Sequence, residues 1–245
     1  MSDLESGRSA LAERVGGVAR ESAAQAAVTL RRVYLACEFA VLFFAGPMLV
    51  YFRVIPIRYA MVTMIGVAVL ALIALLADRR FDRRQLWSPG HLWPRLRGML
   101  VIFGIGAAGL TAYTLLFERD LLLRLPLERT GLWLVIMCLY PLLSVYPQEI
   151  LYRTFMFHRY EEVFRGRWLM IGASAAAFGF MHIVFENALA VILTTIGGLI
   201  FARTYDKTRS TFVVSVEHAL FGDFIFTIGL GWYFFTGAVG AGAPG

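Results

Sequence analysis

Apolar stretches return seven times along this chain, at about residues 33–52, 59–77, 98–117, 132–157, 168–185, 188–203 and 211–235. That recurrence constrains the fold more than any other feature. About 18 or more apolar residues in helix are long enough to cross the hydrocarbon of a bilayer. Lipid offers the backbone no hydrogen-bond partners, so only helices and closed barrels span it. These stretches lack the period-two alternation of a barrel strand. The expected fold is all-α, a polytopic transmembrane helical bundle of seven spans, or eight if 211–235 breaks near Gly222. Composition agrees: 59% of the 245 residues are hydrophobic and 16% charged, against about 25% charged in a soluble domain.

The segments between the spans orient the bundle. With the N-terminus inside, the tail 1–32 and the segments 78–97, 153–167 and 203–209 are cytoplasmic. They hold 5, 6, 4 and 3 basic residues, 18 of the 23 in the chain. The opposite segments hold Arg53, Arg58, Arg119, Arg124 and Arg129. Such an asymmetry is the signal that orients spans in an inner or plasma membrane. It also gives the chain's excess of basic residues a membrane role and argues against nucleic acid as a partner. Loop 78–97 carries Trp87, Pro89 and Pro94 and reads as an interfacial anchor. Residues 1–32 read as a cytoplasmic tail or surface helix and not as a cleaved signal peptide. One transmembrane domain, 33–237, and a flexible end, 238–245, complete the organisation. Cys37 and Cys138 each lie in an apolar run and read as buried packing residues, neither a disulfide nor a metal pair.

Ionisable groups inside spans are functional candidates by default, because each costs several kcal/mol unless partnered. Here they are Glu38, Glu149, Arg153, His182, Glu186, Glu217, His218 and Asp223. Glu149 and Arg153 are four apart, so they share a helix face and can pair. Pro147 beside Gln148 marks a kink or a fresh helix start. Depth decides whether the others can join them. The polar turn 158–167 makes an antiparallel hairpin; Glu149 lies 16 residues before residue 165 and His182 lies 17 after it. At 1.5 Å per residue both sit roughly 25 Å from the tip. His218, nine residues beyond Arg209, lies at a comparable mid-membrane depth. Three spans therefore bring an acid, an arginine and two imidazoles to one level.

These residues form a pattern. Glu149-x-x-x-Arg153, then Phe178-x-x-x-His182, then His218 in Val216-Glu217-His218-Ala219-Leu220 resemble, in order and spacing, the three motifs of the CPBP family. These are the CAAX-protease and bacteriocin-processing intramembrane proteases, related to the type II prenyl-protein endopeptidases. The resemblance covers about residues 130–225. It implies an intramembrane endopeptidase acting on a membrane-associated protein or peptide. By that resemblance a Glu activates water, a second Glu pairs with the Arg, and the two His line the site. The chemistry is coherent: hydrolysis needs a base for water and donors or a cation for the oxyanion. Two imidazoles and a carboxylate also suit Zn²⁺ with one open position, which makes His182, His218 and Glu149 candidate ligands.

Two positions depart from the family pattern of Glu-Glu-x-x-x-Arg, Phe-x-x-x-His and His-x-x-x-Asn. Gln148 stands where the first Glu belongs, and an amide is no general base. Gly222 stands where the final Asn belongs, with Asp223 beside it. Three outcomes stay open. Glu149 serves as the base or its support, with Arg153 orienting it; Glu186 or Glu217 takes the carboxylate role; or the protein is a non-hydrolytic immunity or scaffold relative. A small proton-coupled transporter is the remaining rival, although no internal repeat is visible to support it.

Overall fold

The computed structural model describes residues 2–234, with side chains described from Arg20 onward. Every regular element among them is helical. In chain order they are α1 (Ser2–Ala40), α2 (Gly46–Tyr51), α3 (Ala60–Ala77), α4 (Arg84–Trp87), α5 (Leu92–Phe117), α6 (Arg124–Glu128), α7 (Thr130–Tyr140), α8 (Tyr146–Glu149), α9 (Met156–Arg159), α10 (Arg167–Met181), α11 (Ala188–Thr208) and α12 (Thr211–Thr227). Wide π-helical turns weld some of these into longer rods. Val41–Ala45 joins α1 to α2, Pro141–Val145 joins α7 to α8, and Ile150–Phe155 joins α8 to α9.

Six rods are long and apolar enough to cross a membrane: Arg20–Tyr51, Ile57–Ala77, Leu92–Phe117, Thr130–Arg159, Arg167–Phe185 and Ala188–Thr208. The seventh expected span is shorter than its apolar run. α12 has 17 residues, runs unbroken through Gly222, and gives way to a 3₁₀ turn at Leu230–Phe234. No eighth span forms by a break at Gly222. α1 runs through residue 32 as one helix. The expected flexible end at 238–245 lies outside the described residues.

The outward faces carry the signature of a lipid solvent. Leu70, Ile105, Leu116, Leu142 and Trp168 are among many large apolar side chains left exposed, the inverse of a soluble surface. Cys37 and Cys138 lie on this exterior as free thiols. They are unpaired, as expected, but they are not buried. A small apolar thiol needs no protein partner where the surrounding solvent is lipid.

Small residues draw the central helices together. A Cβ at Gly198 of α11 would lie 2.9 Å from the Ala175 Cα of α10, and one at Gly179 would strike Thr195. Such contacts let backbones approach closely where no hydrophobic effect drives helices together. Two helices, α11 and α12, start where a side chain satisfies a free N–H group: Asn187 accepts from Ala190 N at 2.8 Å and Ser210 from Val213 N at 3.2 Å. Each cap contributes about 1 kcal/mol.

Loop 78–91 folds over one end of the bundle. Asp78 accepts from His158 at 2.8 Å, Tyr146 donates to the Leu86 carbonyl at 3.1 Å, Tyr205 to Gln85 at 2.8 Å and Ser210 to the Ser88 carbonyl at 2.6 Å. Beside it, Arg159 forks onto both Glu38 oxygens at 2.9 and 2.8 Å, with Tyr160 adding a third bond at 3.0 Å. Glu38 is therefore a structural partner of the hairpin turn and stands apart from the other intramembrane carboxylates.

Candidate active site

The site is built around α8, a single turn of four residues held between two π-helical turns. Pro147 sits in its first turn, where a missing N–H is harmless. Each π-turn carries an extra residue and reorients the helix beyond it; such bulges occur often at functional sites. Gln148 and Glu149, about 100° apart as helix neighbours, face different surroundings.

Gln148 looks into a cavity of about 1280 Å³. Its amide N–H donates to Ser144 Oγ at 2.7 Å. Its carbonyl oxygen is buried and has no partner. Tyr140, Ser144, Phe178, His182 and His218 line the same cavity.

Glu149 lies behind this wall and is fully buried. One carboxylate oxygen accepts from His218 Nδ1 at 2.7 Å. The other is 3.2 Å from Arg153 Nε, an ion pair whose geometry falls short of an aligned hydrogen bond. Arg153 is equally buried. Its guanidinium lies over the Phe178 ring, 4.4 Å from the centroid, and within 5.6 Å of the Phe201 centroid. Two aromatic faces and one carboxylate thus stabilise a cation that lipid would reject.

The imidazoles are fixed by what their Nδ1 atoms touch. His182 Nδ1 lies 2.8 Å from the Phe178 carbonyl. A carbonyl only accepts, so Nδ1 carries the proton and Nε2 is left as an acceptor. His218 Nδ1 donates to Glu149 in the same way, and its Nε2 sits 3.4 Å from the Tyr140 hydroxyl. The His218 ring stacks on Phe201 at 4.5 Å with an interplanar angle of 20°. Phe178 stands between the histidines, with ring centroids 4.9 Å from His182 and 5.4 Å from His218. Both histidines therefore offer a basic nitrogen at a wall of one cavity, and His218 has a carboxylate behind it.

The remaining sequence candidates divide. Glu186, at a left-handed turn with φ of 57°, is taken by Arg53 and stays off the site. Glu217 is buried outside the cavity wall. Asp223 also lies outside that wall. Gly222 has a clear purpose: a Cβ there would run into the Tyr140 ring and hydroxyl. The absent side chain is what lets Tyr140 reach His218. Sequence reasoning missed Tyr140, an aromatic residue within an apolar run. The only signal was its place four residues before Ser144 and eight before Gln148.

The residues do not fit a zinc site. No group of three His, Cys, Asp or Glu among the described residues could hold a metal. Both Glu149 oxygens are turned to Arg153 and His218, which leaves two imidazoles without a third ligand.

Residues 129–222 match the family model described as Type II CAAX prenyl endopeptidase Rce1-like. The match spans Tyr140, the Gln148–Arg153 turn, both histidines and Gly222, and it supports the resemblance to the CPBP and CAAX proteases. No curated protein and no solved structure matches the chain. A membrane protease with a membrane-associated protein substrate is the function class this similarity supports.

Proposed function

We propose that this chain, whose core is Rce1-like, is an intramembrane endopeptidase that hydrolyses a peptide bond beside the membrane segment of its substrate. His218 is the general base and Glu149 its support. The observation that carries this reading is the Glu149–His218 hydrogen bond, which fixes the tautomer and leaves Nε2 basic at the cavity wall. Water bound between the acceptor nitrogens of His218 and His182 is activated as its proton passes to His218 Nε2. The water oxygen bonds the scissile carbonyl carbon. Glu149 stabilises the imidazolium that forms, as the carboxylate does in any acid–histidine pair. Tyr140 donates to the developing oxyanion. Collapse breaks the C–N bond, and His218 returns the proton to the leaving amine. Arg153 keeps Glu149 ionised and pointed at His218.

The reading places the protein in an inner or plasma membrane with its N-terminus cytoplasmic, supported by the 18-to-5 division of basic residues. It is tested by co-expression with candidate membrane-anchored substrates and immunoblotting for uncleaved precursor. His218→Gln, His182→Gln and Glu149→Gln should each cause precursor to accumulate, since a positioned base contributes about 10²–10⁴-fold. If cleavage continues in all three folded variants, the assigned site is wrong.

One observation favours a second reading. Gln148, not a carboxylate, faces the cavity where the family pattern has its first Glu. A non-hydrolytic immunity or scaffold relative would share this fold. Full biological function in His182→Gln and His218→Gln variants is the outcome that would select it.

A further inference from the structure

The cavity is one-sided. α3 lines it only over residues 60–67 of Ala60–Ala77, and α5 only over 106–113 of Leu92–Phe117. α10 contributes from residue 178 onward and α12 from residue 218 onward. In every one of these helices the lining part is the half nearer segment 118–129. That segment itself supplies Leu121, Arg124, Leu125, Glu128 and Arg129. Arg124 and Glu128 form an ion pair with side chains 46% and 60% exposed, so the cavity opens at the protein surface there. No residue of 78–91, 160–166 or 209–210 lines it. That opposite end is closed by the Asp78–His158, Leu86–Tyr146, Gln85–Tyr205 and Ser88–Ser210 bonds and by Glu38 on Arg159 and Tyr160.

We propose that the cavity is entered from the face of segment 118–129, opposite the basic loops, so that the bond presented to His182 and His218 belongs to the extracytoplasmic flank of a substrate's membrane segment. The cavity wall is mostly apolar side chains, with charge confined to Arg124, Glu128 and Arg129 of its rim. It therefore suits an unwound apolar stretch of polypeptide, whose backbone finds few hydrogen-bond partners, among them Tyr140, Gln148 and the histidines. The five basic residues on this face, against 18 on the other, make it the extracytoplasmic one. The identity of the occupant rests on the protease reading; the side of entry does not.

The test reads access alone. In a Cys37→Ser, Cys138→Ser background, single cysteines are placed at cavity-wall positions, Ile136→Cys and Leu193→Cys. Leu127→Cys and Arg83→Cys mark the two faces. Right-side-out and inverted vesicles are treated with a charged, membrane-impermeant maleimide. Both wall cysteines should label at least tenfold faster from the side that labels Leu127→Cys, and that side should be the outside of the cell. Two wall positions on separate helices guard against a single variant that fails to fold. Labelling from the Arg83→Cys side, or from neither side, overturns the proposal. No cleavage is measured, so loss of the protease reading would leave this result standing, and the reverse.

Discussion

Replacing Glu149 by Gln removes the carboxylate paired with a fully buried guanidinium while keeping a similar side-chain shape. At 3.2 Å and an effective dielectric of about 20, the pair is worth about 5 kcal/mol of Coulomb energy. Breaking a buried pair from one side costs about 3–5 kcal/mol, because the surviving charge is left in apolar surroundings. Phe178 and Phe201 recover part of this for Arg153. The expected loss for Glu149→Gln is therefore about 3 kcal/mol, or roughly 6–12 °C in the unfolding midpoint of a chain this size. Arg153→Met should cost a similar amount. The double variant removes both charges and should lose far less than the sum, with a coupling of about 2–3 kcal/mol. Thermal unfolding in detergent, followed through the five tryptophans, measures all four corners of the cycle. If the two single losses simply add, the pair does not stabilise the fold and the placement of Arg153 as Glu149's partner is refuted.

Gly222→Ala should cost about 1–3 kcal/mol, as overpacking of a tight contact does, and should lower cleavage by displacing Tyr140 from His218. Adding Tyr140→Ala should recover the stability but not the activity; recovery of neither would locate the strain elsewhere. The loop over the closed end should respond to acid in a particular way. Asp78 is held below the usual carboxylate range, first by the Arg80 backbone N–H and then by His158. A carboxyl whose folded value is depressed contributes stability above its unfolded value, about 3.9, and loses it as the pH falls through the folded value. Hydrogen exchange in residues 80–88 should be unchanged, apart from its intrinsic pH dependence, from pH 8 to about 5 and should rise only below about 4. Loosening centred near pH 6 would assign the hold to another group.

The architecture was legible because lipid makes the rules simple. Apolar length located the spans, and helix rise alone put Glu149, His182 and His218 at one depth; of these, Glu149 and His218 meet in a hydrogen bond. Side-chain direction was not legible. Spacing puts Glu149 and Arg153 on one face, but it does not say whether that face meets the cavity or the protein interior. Two π-turns settle the matter by changing the number of residues per turn, and no residue in Pro141–Val145 or Ile150–Phe155 announces a π-turn. Glu186 looked available from sequence because its partner Arg53 is 133 positions away. Gly222 looked like a missing asparagine, and only its neighbour Tyr140 shows what the gap admits. The end of α12 was overestimated because the apolar run continues past the residue at which the helix stops.

A π-turn is, in effect, one inserted residue that the helix has absorbed without unwinding. The rod Thr130–Arg159 contains two of them, one on each side of α8. Between Tyr140 and Gln148 the first sets the angular phase of the site, and between Glu149 and Arg153 the second sets the phase of its charges. Removing a single residue from Pro141–Val145 would turn Tyr140 by about 100° relative to Gln148 and carry its hydroxyl away from His218 while leaving every motif residue in place. The unit on which this chemistry depends is therefore a count of residues as much as a set of residues. A one-residue deletion between the motif positions should act as an active-site lesion although it touches none of them.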